Sequence, residues 1–293
     1  MKIDVIIPHW KESELVTLNA LTSIDNQVGV TDEVQITIVQ DGDGEPLDEK
    51  HINKLVRNKI NLLYCDQNLG PGGARQYGID HTDGDYILFC DADDQLATPF
   101  ALQFFTDIVK QHPELEVVCT GYYEEYEAAD GSTKYRCHCN SEAMGGVHGK
   151  LFKRSFLKEH NIVFPKIRVS EDTAFVIKCL CYAQKAYFDN EFFTYLWRKR
   201  ANSLSRQKGS LEKLDPYVRT FRNVVEAFQD IFDEMYKPEV IIKKETLIPG
   251  IIQSLRGQMG LIQSMTIFFP DLQEELDIAD KLLTQYENKY IKH

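Results

Sequence analysis

The sequence predicts an α/β protein: a doubly wound, mostly parallel sheet with helices on both faces, followed by an all-helical C-terminal tail. Three observations predict it. Over about the first 120 residues, short β-branched apolar runs alternate with segments of helical spacing, the pattern of βαβ units. Each early apolar run ends abruptly in a polar stretch. Beyond about residue 206, apolar residues recur only at helical spacing.

The elements follow in order. "IDVIIP" is a first strand, and "ESELVTLNALTSIDNQ" a helix with Leu15, Leu18 and Leu21 at helical spacing and Glu12 or Ser13 near its start. "VQITIVQD" is a second strand, then comes the turn "GDGEP" and a polar helix near 48–58. "INLLYC" is a third strand, and "PGGARQYGIDHT" opens a helix with Pro71 in its first turn. "DYILFC" is a fourth strand, "TPFALQFFTDIVKQH" a helix and "LEVVCTGYY" another strand. From about 122 to 200 the alternation loosens. There "TKYRCHCN" reads as an edge hairpin strand, "GKLFKRSFLKEH" and "EDTAFVIKCLCYAQ" as helices, and "AYFDNEFFTYLW" as a strand. The polar stretch "RKRANSLSRQKGS" reads as a loop that separates a domain over 1–205 from a helical region over 206–293. In that tail Val218, Phe221, Val225 and Phe228 share one helical face.

Composition narrows the class. A chain of 293 residues with 43% hydrophobic and 11% aromatic residues can bury a sizeable core. The net charge of -12 argues against a dedicated nucleic-acid binder. No apolar run approaches the roughly 20 residues that cross a bilayer. The start, "MKIDVIIPHW", reads as a strand and not as a signal peptide, because Asp4 interrupts it. The seven cysteines lie mostly in apolar stretches, which fits reduced core thiols and a cytoplasmic protein, at most peripheral to a membrane. "CHC" at 137–139 matches no zinc-ligand spacing.

Four strand ends carry polar residues: "PHWKE", "QDGDGE", "DQNLGPGGAR" and "DADD". In an open α/β sheet, ligands bind beyond the carboxyl ends of the strands. Asp91, Asp93 and Asp94 stand so close that they repel one another unless a cation neutralises them. Mg2+ and Mn2+ prefer oxygen ligands and commonly take one or two carboxylates together with phosphate oxygens. Read alone, the same stretch is also a solvated turn.

Its context resembles the family-2 glycosyltransferases with the GT-A fold. Asn68, Gly70, Ala74, Arg75 and Gly78 match the pattern N-x-G-x-x-x-A-R-N-x-G, and Tyr86, Asp91, Asp93 and Asp94 match the acidic strand that follows it. "VIIPHW", "IVQDGD", "GKLFKRSFL" and "SEDTAF" resemble further family motifs in the family's order, over about residues 1–205. The resemblance implies a metal-dependent, inverting transfer of sugar from a nucleotide-sugar donor, UDP-linked, to a hydroxyl acceptor in surface glycan or cell-wall polymer synthesis.

The resemblance also implies roles. Pro8, Trp10, Glu12, Asp41, Gly72, Gly73, Arg75, Asp91, Ala92, Asp93 and Arg200 would contact the donor. Trp10 would stack beside the base and Asp41 accept its N–H. Asp93 would be the main ligand of Mn2+ or Mg2+, with Asp91 on ribose or metal and Asp94 least assigned. Asp172 would be the catalytic base, while Glu171, His148 and Lys150 would serve the acceptor side. Ser170 is a candidate N-cap for the helix that Glu171 and Asp172 open. A basic loop of Arg198, Arg200 and Ser203 would close over the diphosphate.

Some positions depart from the pattern. "PHWK" stands for P-x-Y-N, Gln40 for the first acid of D-D-G-S, and "ARQ" for A-R-N; these bear on which nucleotide is held. Two other classes compete. A phosphoryl- or nucleotidyl-transfer enzyme would use the acids for two metals, but no G-x-x-x-x-G-K-[ST] loop occurs. A non-catalytic nucleotide-sugar binding protein would show no dependence on Asp172. The acceptor is a glycan, a lipid-linked sugar, a protein or even modified nucleic acid. The tail, with its apolar "LIPGIIQSLRGQMGLIQSMTIFF", would dimerise, cover the acceptor site or lie on a membrane.

Overall fold

A computed structural model of the chain describes residues 1–44, 46–139, 146–198, 211–237, 244–263 and 273–291. Among the described residues, nine strands form one sheet. Its first half is parallel: β1 (Lys2–His9), β2 (Glu33–Gln40), β3 (Ile60–Tyr64) and β4 (Tyr86–Phe89) stand in the order β3-β2-β1-β4. Helices α1 (Glu14–Asp25), α2 (Glu49–Leu55) and α3 (Gly70–Asp80) are the crossovers. Near-continuous apolar runs form these strands because both sheet faces are covered. Ile3, Val5 and Ile7 enter one core with Leu21 and Phe105, while Ile6 enters the other with Ala74, Phe89 and Phe175. Phe105 comes from α4 (Ala101–Gln111).

The second half is mixed. β5 (Gln95–Leu96) is a two-residue strand not foreseen from sequence, and it pairs antiparallel with β9 (Ala186–Trp197). β6 (Val117–Glu127) pairs with β9 in parallel and with β7 (Thr133–His138) as the expected hairpin. β8 (Lys150–Lys153) lies antiparallel between β4 and β6. Two antiparallel steps restore the original direction, so the carboxyl ends of β6 and β9 reach the same edge as those of β1 to β4.

"GKLFKRSFLKEH", expected as one helix, is β8 followed by α5 (Arg154–Glu159). Leu151 and Phe152 bridge Leu88 and Ile87 on one side and Val118 and Val117 on the other, and leaving those strands unpaired would orphan buried backbone groups. Arg154 then anchors α5: it is buried, its Nη2 donates to Asp4 at 2.6 Å and to Thr82 at 2.7 Å, and its Nε donates to the Gly84 carbonyl. In α1, Leu21 is buried and Leu18 packs against the core as expected, but Leu15 is exposed, and Thr17, Ala20 and Ile24 complete the buried face.

The tail is helical as expected: α7 (Leu211–Met235), α8 (Lys244–Gln263) and α9 (Gln273–Tyr290). They share a core with α6 (Glu171–Tyr182), whose Ala174, Ile177 and Cys181 face them while Phe175, Val176 and Cys179 face the sheet. Ile248, Ile252, Leu255 and Met259 of α8 are buried in that core, so this apolar face is covered by the chain itself. Among the described residues, no helix is long and apolar enough to cross a membrane.

Candidate active site

The carboxyl ends of β1 and β2 meet at a hydrogen-bonded corner. His9 follows Pro8 into this corner and is buried, with Nδ1 3.1 Å from Gln40 Oε1 and Nε2 2.9 Å from the Glu12 carbonyl. The Trp10 backbone N–H donates to Glu12 Oε2 at 2.9 Å, and its half-buried indole lies under the Lys11 ammonium at 4.0 Å. Asp41 is buried, and its two oxygens accept the Leu69 and Gly70 N–H groups at 2.7 and 2.9 Å. Its carboxylate thus ties the end of β2 to the start of α3, where a negative charge is favoured by the helix dipole. Burial raises its pKa, and those two donors oppose the rise.

Arg75 is the centre of the arrangement. It projects from α3, is 3% exposed, and donates to Asp91 Oδ1 at 2.6 Å and to Glu171 Oε1 at 3.0 Å. One guanidinium therefore joins the acids that follow β4 to those that open α6. Burial alone would raise the pKa of Asp91, but Arg75 and His148 hold it well below the usual carboxylate range. Burial and the neighbouring Asp172 raise Glu171 to about 7, against the pull of Arg75.

Gly72, one turn before Arg75, makes this approach feasible: a Cβ there would lie 2.5 Å from Glu171 Cγ. Gly73 faces Leu69 in the same way. Gly72→Ala is expected to push Glu171 off Arg75, costing about 1–3 kcal/mol of stability and at least tenfold in activity. Thermal unfolding and turnover of the variant check this, and an unperturbed variant would contradict the packing role.

The turn after β4 carries the remaining acids. Ala92 is buried and Asp93 half-buried on it. Asp94, least assigned from sequence, is 2% exposed and accepts Tyr195 Oη at 2.6 Å and the Arg198 N–H at 2.8 Å. Burial first, then Asp93 and Asp91, push its pKa well above the ordinary value. The Tyr195 hydroxyl also accepts the Asp91 N–H at 3.1 Å, fixing the turn from β9. His148 Nε2 lies 3.7 Å from Asp91 Oδ2 and 4.0 Å from Asp94 Oδ2, with its ring against Tyr195 and Trp197.

Among the described residues, Asp91, Asp94 and His148 form the group whose ligand atoms all lie within 4.8 Å of one another. Asp93, the expected main ligand, is outside that group. The buried Asp94 and the half-buried Asp91, the latter already shared with Arg75, with Asp93 beside them, constitute a negative site that a divalent cation would fit. The carboxylates suit Mg2+ or Mn2+, and an imidazole is taken more readily by Mn2+ than by Mg2+, which keeps an oxygen shell.

Asp172 is half-buried at the start of α6, with Oδ1 accepting the Thr173 N–H at 2.7 Å. Ser170, expected as a cap, has a left-handed backbone (φ +61°) and its side chain makes no cap bond. Lys150 is fully buried behind the site. Arg198 pairs with Glu125, its Nε 3.5 Å from Oε2, whereas Arg200 and Ser203 lie outside the described residues. Tyr195 is not legible from the sequence: a tyrosine in an apolar strand, 101 positions from the aspartate it holds, carries no local signal.

The chain is 25% identical over 219 residues to poly(ribitol-phosphate) beta-glucosyltransferase of Bacillus spizizenii, covering 68% of this chain but 33% of that protein. It is 24% identical to cholesterol galactosyltransferase of Borreliella burgdorferi, over 80% of this chain and 70% of that one. It is 22% identical to the TarS poly(ribitol-phosphate) beta-N-acetylglucosaminyltransferase of Staphylococcus aureus, over 82% and 43%. The chain thus spans about a third of one poly(ribitol-phosphate) transferase and under half of the other. The crystal structure of S. aureus TarS 1-349 in complex with UDP-GlcNAc superposes with a TM-score of 0.61 at 18% identity, covering 100% of this chain and 93% of that one. Mannosyltransferase PcManGT of Pyrobaculum calidifontis, in complex with GDP-Man and Mn2+, gives 0.55 at 13% identity, over 99% and 88%. A model of "Glycosyl transferase family 2" matches residues 4–175, which run from the first strand through the acids of α6, and the chain belongs to that family.

Proposed function

We propose that the chain is an inverting glycosyltransferase that moves a sugar from a UDP-linked donor to an acceptor hydroxyl, in the synthesis of a surface glycan or cell-wall polymer. The observation that carries this reading is Arg75, buried and bonded at once to Asp91 and Glu171. It brings a strand-end acid turn and a helix-start acid pair to one point.

Of that pair, Asp172 is the base. Glu171 is buried and committed to Arg75, whereas Asp172 is half-buried beside it. Asp172 takes the proton from the acceptor hydroxyl as that oxygen attacks the anomeric carbon. The bond from the anomeric carbon to the diphosphate oxygen breaks, and UDP leaves with the electron pair. Asp91, Asp94 and His148, with Asp93 beside them, would hold Mn2+ or Mg2+. A bound divalent ion would stabilise charge on the departing diphosphate. Trp10 and Asp41, at the ends of β1 and β2, supply a flat ring and an acceptor for the base.

The relatives named for poly(ribitol-phosphate) and the TarS complex with UDP-GlcNAc favour a UDP-hexose or UDP-N-acetylhexosamine and a polymer acceptor. A nucleotide-sugar panel with Mn2+ is expected to show UDP release or thermal stabilisation by a UDP-sugar. If no nucleotide sugar binds, with or without metal, the reading fails.

A further inference from the structure

Lys150 opens β8 and is 1% exposed. Its ammonium donates to the Gly146 carbonyl at 2.9 Å and the His148 carbonyl at 3.3 Å. These carbonyls lie four and two residues upstream, so one cation gathers the segment 146–149 into a compact turn. The far side of the turn is closed by Thr120, whose backbone N–H donates to the Gly149 carbonyl at 2.8 Å. Gly149 sits at φ +61°, and a Cβ there would lie 2.9 Å from Thr120 Oγ1. That conformation and that space favour glycine.

The turn touches both halves of the site. His148 faces Asp91 and Asp94. At the other end, a Cβ built on Gly146 would meet Asp172 Oδ2 at 3.2 Å and His148 Nδ1 at 2.9 Å. The carbonyls of this turn need a buried donor, because an unpaired buried carbonyl is costly, and an ammonium reaches two of them at once.

We propose that Lys150 is a positioning residue: its buried ammonium holds the 146–149 turn so that His148 faces the acid turn and Gly146 backs Asp172. This rests on the transferase reading above. Lys150 touches neither donor nor acceptor in this scheme, in contrast to the acceptor-side role that its motif implies. A displacement of about 1 Å in such a support costs on the order of 100-fold in rate.

The test is Lys150→Met in the full chain, which keeps an apolar stem and removes the donors. The expected result is a kcat for transfer reduced at least 30-fold and a smaller thermal shift with UDP and Mn2+, because His148 is among the groups that would hold the ion. A clamp important only for folding would lower Tm and leave kcat per folded molecule unchanged. In a His148→Ala background, Lys150→Met is expected to cost less than threefold more, because residues acting through one another do not add. A folded Lys150→Met protein with kcat within threefold of wild type, or losses that multiply in the double variant, would overturn the proposal. Should Lys150→Met not fold, Gly149→Ala displaces the same turn from its other end. It is expected to show the same losses, and an unchanged kcat overturns the proposal equally. Wild type that neither binds nor cleaves any UDP-sugar sinks the transferase reading itself; active wild type with unaffected variants sinks only the role of Lys150.

Discussion

Asp172→Asn is expected to lower kcat for sugar transfer by roughly 10²–10⁴-fold, the range that a positioned general base supplies, while UDP binding stays intact. The substitution preserves shape and the bond that Oδ1 accepts from the Thr173 N–H, so the helix start is retained and only proton acceptance is lost. Glu171 cannot substitute, because its carboxylate is buried and bonded to Arg75. UDP release in the presence of acceptor measures the loss, and a thermal shift with UDP and Mn2+ measures donor binding. If the Asp172→Asn variant keeps more than a tenth of wild-type kcat, Asp172 has no part in the chemistry. Parallel loss of UDP binding would instead mean that Asp172 belongs to the donor site.

The parts of this site that are legible in the sequence are those set by local rules. Asp41 and Asp91 are readable because a buried parallel strand is a continuous apolar run, and its end is marked where the first charge appears. Arg75 and the Glu171–Asp172 pair become readable through the ordered motifs, since nothing in 75 and 171 taken singly says that they touch. Asp94 escapes assignment for a physical reason. A third acid in a turn resembles a solvated cap until Tyr195 arrives from β9 and buries it. The four residues of β8 carry too short a pattern to show period two, and the basic residues around them read as a helix. Pairing on both sides decides the matter, and pairing is not local. Leu15 shows the converse: helical spacing marks it for the core, yet the face α1 buries is the one beneath Thr17 and Leu21.

Arg75→Met should be the most damaging single change to the fold of the site. The side chain is 4% exposed and pairs with two acids, Asp91 at 2.6 Å and Glu171 at 3.0 Å. Removing one partner of a buried ion pair costs about 3–5 kcal/mol, and here Asp91 and Glu171 both lose the donor they share. For a chain of this size that corresponds to a fall in Tm of roughly 10 °C. Activity is expected to vanish with it, because the acid turn and the start of α6 lose the group that joins them. Lysine is no remedy: a single ammonium cannot offer the two-pronged donor set that reaches both carboxylates. Adding Glu171→Gln to Arg75→Met replaces the unpaired carboxyl by an amide that stays neutral at every pH, so the double variant is expected to regain part of the lost Tm while remaining inactive. Recovery of stability without recovery of turnover separates the two functions of Arg75, since a neutral pair can fill the space but cannot hold Asp91 ionised beside the acid turn. A single variant as stable as wild type would mean that the charges are neutralised by other groups and that Arg75 is not the joint between the two halves of the site.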